Sequence, residues 1–194
     1  MTSDWTGLVK DSLLRPRQAA RQVLLAGLPP RVSVQIGTLA IVVGTMLQAV
    51  LFRPMPDAAV GAYAVLMSNP LLLGVLQVLF MLVTASLAVT VGRWFGGMGG
   101  YPGSIALLAW FQVCSTLLLL AQALLFLVFT PLASLLILYT MVWLFWALTA
   151  FVAELHGFER NWAVFGGVFV TLMVISIALG LLAAIAGIPM VETL

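Results

Sequence analysis

Acid–base chemistry in this sequence would have to come from Glu154 and His156, which stand two positions apart in a short polar segment between apolar runs. A carboxylate and an imidazole can share a proton only if they meet, and residues two apart on a helix point in different directions. We therefore expect an interfacial polar helix end rather than a proton-handling pair. If the segment carries chemistry, Glu154 is the first choice, because a carboxylate at a membrane edge is costly unless a cation such as Arg93 or Arg160 pairs with it.

The sequence offers few residues for metal, cofactor or covalent chemistry. It contains one histidine and one cysteine, and Cys114 lies inside an apolar run, where a small packing role is expected. A metal site would need further His, Cys or carboxylate ligands. No Ser/His/Asp, Cys/His or paired-carboxylate arrangement is recognisable. We predict a protein that is not an enzyme, with no catalytic residue, no cofactor and no metal.

A glycine-rich segment, residues 92–104, separates two long apolar runs and is the most distinctive part of the chain. Glycine and proline at this density predict a turn rather than a helix. One interpretation is a tight turn whose glycines let two helix ends approach, with Trp94 and Tyr101 as interfacial anchors. The other is a loop that contacts a lipid headgroup or a protein partner. The candidate contact residues are Arg93, Trp94, Gly96, Gly97, Gly99, Gly100 and Tyr101.

Substitutions in this loop would separate the two interpretations. Valine at Gly97 or at Gly100 should disturb the loop and weaken any partner interaction without unfolding the bundle. A phosphate-binding loop is not expected, because the strand and helix that must flank such a loop are missing.

Polar and small residues inside the apolar runs predict which faces meet other helices. Glutamine is costly in lipid without a partner, so the intramembrane glutamines should point toward the bundle interior. Together with one threonine they could line a polar groove; the candidate residues are Gln77, Gln112, Thr116 and Gln122. In the first apolar run Gly37, Ala40 and Gly44 share one helical face, which suits close packing against a neighbouring helix.

The composition indicates an integral membrane protein. Hydrophobic residues make up 63% of the chain and charged residues only 7%, against roughly 25% charged in soluble domains. A span needs about 20 apolar residues, and the chain predicts an all-α membrane helical bundle with five spans at about 32–52, 71–91, 105–129, 132–153 and 162–188. Residues 1–31 would then form a cytosolic amphipathic arm, 32–188 the membrane domain and 189–194 a C-terminal tail.

Basic residues predict the orientation of the bundle, since they concentrate on the cytosolic side. With the amino terminus inside, seven of the eight Lys and Arg residues lie inside and Arg53 lies outside, as does the carboxyl terminus. Within the arm, Pro16 predicts the first turn of a short helix that runs to about Ala26 and ends before Gly27. We expect this helix to lie on the membrane surface with its arginines facing anionic headgroups.

Three short motifs resemble the Yip1 domain family of polytopic membrane proteins, in its compact prokaryotic form. They are Leu-x-Arg-Pro-Arg at residues 13–17, Gly-Gly-x-Gly-Gly-Tyr at 96–101 after the second span, and Leu-His-Gly-Phe at 155–158 before the last span. The resemblance covers nearly the whole chain and implies the fold and topology. Eukaryotic relatives are associated with Rab GTPases and vesicle transport, but their longer amino-terminal regions and their Asp-Leu-Tyr-Gly-Pro and Tyr-Gly-Tyr-Gly motifs have no full counterpart here.

From these features we expect a non-catalytic multi-pass protein of the bacterial inner membrane that acts as a scaffold, in membrane organisation or in trafficking. The alternative is a transporter that moves a lipid or a small solute along the polar groove. Membrane lipids, a membrane or cytosolic protein and a second copy of the chain are the expected partners, and nucleic acid is not. The polar edge of Glu154, His156 and Arg160 would share the cytosolic face with the arm and the glycine loop.

Overall fold

The computed structural model describes residues 5–51, 69–159 and 161–185, and this part of the chain contains helices and no strand. Two short helices come first, α1 (Trp5–Leu14) and α2 (Pro16–Leu25). They lie within the predicted arm, residues 1–31, and from here on the arm means these two helices. Five long helices follow: α3 (Pro30–Leu51), α4 (Pro70–Trp94), α5 (Tyr101–Val128), α6 (Thr130–His156) and α7 (Asn161–Ile185). The all-α membrane architecture expected from the composition is confirmed.

Four helices, α3 to α6, are long and apolar enough to cross a membrane. α7 is 25 residues long, and among its described residues an apolar stretch runs over Val164–Ile177. Large apolar side chains face outward along the bundle; Leu79, Leu138 and Val174, for example, are each more than half exposed. Such a surface is stable only against lipid. The chain is therefore a multi-pass membrane protein.

Several helices extend beyond the predicted spans at the end of the bundle that carries the glycine loop. α4 continues to Trp94, three residues beyond the predicted end, and α5 begins at Tyr101 rather than at 105, so the turn shrinks to residues 95–100. Pro102 falls within the first turn of α5. A backbone N–H in this turn has no intrahelical acceptor, so its absence in proline costs no hydrogen bond. α6 extends to His156 because Gly157 supplies the left-handed residue (φ 72°) that ends it. The predicted tail, 189–194, and residues 186–188 lie outside the described residues.

The arm differs from the single surface helix that the sequence predicts. Pro16 does begin a helix, α2, but a further helix, α1, precedes it, and Arg15 breaks the chain between them with φ −142° and ψ 61°. Both arm helices pack against α5 and α6. Tyr139 donates a hydrogen bond to the Leu13 carbonyl at 2.9 Å, about five helical turns before the end of α6. The arm therefore lies along the side of the bundle and not only across its end.

α5 is the centre of the bundle, in contact with α3, α4, α6 and both arm helices. Every residue of 104–110 in its first turns is buried. One apolar cluster joins α5 to α2 and α6 through Trp110, Trp143 and Phe151, and a second joins it to α3 and α4 through Ile41 and Met81. Because lipid tails are as apolar as these side chains, close packing and interhelical hydrogen bonds hold such a core together.

The small-residue face of α3 is where α3 meets α4 and α5. A Cβ placed on Gly37 would lie 2.7 Å from Met81 Sδ and 3.2 Å from the Ala109 Cα, and one on Gly44 would lie 3.2 Å from the Thr116 hydroxyl. These distances leave no room for a side chain at Gly37 without movement of its neighbours. The predicted packing role of this face is confirmed.

Candidate functional site

His156 is the last residue of α6 and lies in a cage formed by Gly92, near the end of α4, and by Gly97 and Gly99 of the turn between α4 and α5. Only 3% of it is exposed. A Cβ on Gly92 or on Gly97 would collide with the imidazole ring, and one on Gly99 would lie 2.6 Å from its Cε1. The glycines are therefore needed because a ring occupies the space that their side chains would fill, and this ring comes from a segment more than 50 residues further along the chain.

Two hydrogen bonds fix the state of this imidazole. The Gly99 backbone N–H donates to His156 Nδ1 at 3.0 Å, so Nδ1 must carry a lone pair. Nε2 lies 3.0 Å from the Ala88 carbonyl oxygen, which can only accept, so Nε2 must carry the proton. His156 is therefore neutral and holds the end of α4 and the glycine loop to the end of α6. Phe158 stacks on its ring at a centroid distance of 5.5 Å.

The end of α4 also holds the glycine loop, through one backbone and one side-chain hydrogen bond. Gly97 N–H donates to the Gly92 carbonyl at 2.9 Å, and Arg93 Nε donates to the Gly99 carbonyl at 3.2 Å. Gly96 has φ 84°, a conformation that side chains rarely adopt. Gly100 is different: its backbone is extended, and an added Cβ would meet only Pro102 Cδ at 3.7 Å. There is therefore space for a Cβ at Gly100, and the expected disturbance of the loop by valine there stays a prediction.

Glu154 faces the arm and not the glycine loop. Its side chain, 11% exposed, accepts hydrogen bonds from Arg17 Nε at 2.9 Å and from Arg21 Nε at 2.7 Å. The expectation that Arg93 pairs with Glu154 was wrong, because Arg93, in the last turn of α4, donates to the Gly99 carbonyl instead. The other expected partner, Arg160, lies outside the described residues. Arg17 and Arg21, two of the arginines that were expected to face headgroups, neutralise this carboxylate, because α2 packs against α6.

Arg17 also holds the segment that links α6 to α7, residues 157–159. Its Nη2 donates to the Phe158 carbonyl at 2.6 Å and its Nη1 to the Glu159 carbonyl at 3.5 Å. On the same side, a Cβ on Gly103 would lie 3.0 Å from both Leu155 Cδ1 and Leu24 Cδ2, so α2, α5 and α6 are in close contact there. We call the arm, the glycine loop (95–100) and the linking segment (157–159) together the platform.

Buried aromatic residues tie the other half of the arm to the bundle. Trp110 Nε1 donates to the Ser12 hydroxyl at 2.8 Å, and Trp143 Nε1 donates to the Ser12 carbonyl at 3.0 Å. Ser12 is fully buried. The sequence reasoning missed this contact and the pairing of Glu154. The pairing of Glu154 could have been predicted from Arg17 and Arg21, which lie four residues apart on one helical face.

The remaining loop candidates, Trp94 and Tyr101, are 79% and 41% exposed. They lie at the end of α4 and at the start of α5, on either side of the turn. Their anchoring of the loop at the membrane interface stays a prediction.

The four groove candidates lie together. Gln77, Gln112, Thr116 and Gln122 all line one cavity of about 180 Å³ between α3, α4, α5 and α6. Thr116 donates across the bundle to the Ala40 carbonyl at 2.9 Å, and Gln122 donates to the Thr140 hydroxyl at 2.7 Å. The structure thus brings the predicted residues into one place, and their part in transport stays a prediction.

A larger and mostly apolar cavity, of about 510 Å³, lies between α4, α6 and α7 beside the platform. Leu148, Val168 and Ile175 are among its apolar walls, and Glu159 lies at its rim. It borders the His156 cage through Ala88 and Gly92. Among the residues that the structure describes, no group of three His, Cys, Asp or Glu side chains could hold a metal ion.

The fold and this site define a multi-pass helical membrane protein whose loops are packed on one another. Comparison with protein families identifies which one: the model of the Yip1 domain matches residues 10–182. Because the match covers most of the chain, the protein belongs to the Yip1 domain family. No curated protein and no solved structure matches it.

Proposed function

We propose that the protein is a non-catalytic scaffold of the membrane whose platform is the surface that a protein partner recognises. The observation that supports this most is the bonding of three separate segments into one surface: Gly99 to His156, Arg17 to Glu154, and Arg17 to the Phe158 carbonyl. Connecting loops are as a rule more mobile than the helices that they join, and these long-range bonds hold the loops of the platform in place. A surface held in one conformation binds a partner at a lower entropic cost than a mobile one does.

The proposed arrangement in the membrane follows the charge distribution. The platform faces the cytosol, since the basic residues of the arm and Arg93 lie on it. α7 is the fifth span, which would place the carboxyl terminus outside. The neutral, fully hydrogen-bonded His156 and the paired Glu154 are structural groups in this proposal, and neither acts as an acid or a base. For a chain of the compact prokaryotic form the membrane would be the bacterial inner membrane.

Co-purification tests the proposal. The tagged full-length protein is isolated from native membranes in mild detergent, and bound proteins and lipids are identified by mass spectrometry. We expect a protein partner at close to one copy per chain, retained by Gly100→Ala and lost by Gly97→Ala, which displaces His156. If Gly97→Ala, still folded, retains the partner to the same extent, the platform is not the recognition surface.

Movement of a lipid or small solute is the second candidate, and the cavity lined by Gln77, Gln112, Thr116 and Gln122 favours it. Replacing Gln112 and Gln122 with leucine should abolish flux into liposomes through this cavity, whereas partner binding at the platform should persist. Flux that survives in the double variant would eliminate the cavity as the path.

A further inference from the structure

The cavity between α3, α4, α5 and α6 is lined by several amides and hydroxyls among apolar side chains, and its described lining carries no formal charge. Its lining includes amides and hydroxyls from four helices: Gln48, Gln77, Gln112, Gln122, Ser115, Thr116 and Thr140. None of the described residues that line it is acidic, basic or histidine. It lies at membrane depth, because Gln112 and Gln122 are about 16 Å and about 32 Å along α5 from Tyr101.

The hydrogen bonds within this lining are incomplete. The hydroxyls of Ser115 and Thr116 bond to backbone carbonyls, and Gln122 bonds to Thr140. Gln48, Gln77 and Gln112 make no hydrogen bond with any residue that the structure describes. Each amide brings two donors and one acceptor, and leaving such groups unbonded in a low-dielectric interior is costly. These three side chains are half-buried, and a molecule inside the cavity would supply partners for their amides.

We propose that this cavity is a hydrated binding site for small uncharged molecules that both donate and accept hydrogen bonds. A lining of amides and hydroxyls can satisfy such a molecule in both senses. An ion would find no opposite charge there, and an unpaired ion at membrane depth is strongly disfavoured. The volume of about 180 Å³ admits a few water molecules or one small polar solute. The site is independent of the platform and names the solute class for the second candidate function.

Cysteine alkylation in liposomes tests whether the cavity is wet. In a Cys114→Ala background, single cysteines are placed at Gln112 or Gln77, and at Leu117 as a matched position on α5 that is 41% exposed on the outer surface. Iodoacetamide is small and uncharged, and it reacts with the thiolate, which forms in contact with water. We expect Gln112→Cys and Gln77→Cys to react at least about tenfold faster than Leu117→Cys. If both react as slowly as Leu117→Cys, the cavity is dry and the proposal fails.

A second reagent tests the preference for uncharged molecules. Iodoacetate resembles iodoacetamide in size but carries a negative charge. The iodoacetamide-to-iodoacetate rate ratio should be at least about tenfold higher at Gln112→Cys than at Met98→Cys, a loop position that is 90% exposed. Equal ratios would overturn the proposed selectivity. A liposome flux assay tests transport separately. If the cavity is wet and selective but no flux is measured, the transport function is excluded and the binding site is still supported.

Discussion

His156 joins the end of α4 and the glycine loop to the end of α6. It satisfies the Gly99 N–H and the Ala88 carbonyl at once, and it is almost wholly buried. We expect His156→Ala to lower the free energy of unfolding by about 2–4 kcal/mol, because a buried donor loses its partner and a cavity forms. Thermal unfolding in detergent, followed by circular dichroism, measures the loss. Glu159→Gln, an exposed change, is the control, and an equal effect of both would contradict this role.

Gly97 and Gly100 lie in the same loop but differ in the space available for a side chain. A Cβ on Gly97 collides with the His156 ring, whereas one on Gly100 meets only Pro102 at 3.7 Å. Gly97→Ala should therefore destabilise the protein by about 2 kcal/mol, and Gly100→Ala should change its stability by less than about 0.5 kcal/mol. Thermal unfolding of the two variants side by side tests this. Similar losses for both would mean that the loop itself, and not the His156 cage, requires glycine.

At the scale of the element, docking of α2 depends more on Arg17 than on Arg21. Arg17 bonds to Glu154 and to two backbone carbonyls, whereas Arg21 bonds to Glu154 and its side chain is 67% exposed. Arg17→Gln should increase protease cleavage within the arm several-fold, and Arg21→Gln should increase it much less. The change in unfolding free energy should stay near 1 kcal/mol, because both arginines are partly exposed to solvent. Equal cleavage of the two variants would contradict the special role of Arg17.

The contact of α3 with α4 and α5 makes a separate prediction. Gly37→Val would force a branched side chain against Met81 and the backbone of Ala109, and should cost about 2–3 kcal/mol. Gly74→Ala is the control, since its Cβ would lie in ordinary contact, 3.7 Å from Thr45. Thermal unfolding compares the two. A tolerated Gly37→Val would show that the helices separate easily at this face.

The sequence predicted the helices well and their contacts poorly, for a physical reason. Long apolar runs and the prolines at 16, 70, 102 and 131 mark helices by local chemistry alone. The pairing of Glu154 with Arg17, and the cage around His156, depend on residues more than 50 positions apart. The sequence contains a glycine-rich loop but no local sign of the imidazole that fills it. The four groove residues were found because an intramembrane amide must face other helices.

At the scale of the whole molecule, the orientation in the membrane can be measured. α5 separates the glycine loop from the α5–α6 turn, so the two must lie on opposite sides of the bilayer if α5 crosses it. Single cysteines at Met98 and Thr130, in a Cys114→Ala background, should react with a membrane-impermeant thiol reagent from opposite sides. We expect Thr130→Cys to be labelled in intact spheroplasts and Met98→Cys only in inside-out vesicles. The reverse result would invert the proposed topology.

The arm, the glycine loop and the linking segment are expected to behave as one rigid surface. Hydrogen exchange measured by mass spectrometry tests it most directly, because exchange reports the local opening of each segment. If the platform is one unit, His156→Ala should raise exchange within residues 95–100 and also within the arm, which His156 does not touch through any hydrogen bond that the structure shows. Faster exchange confined to residues 95–100, with the arm unchanged, would show that the three segments are not one unit.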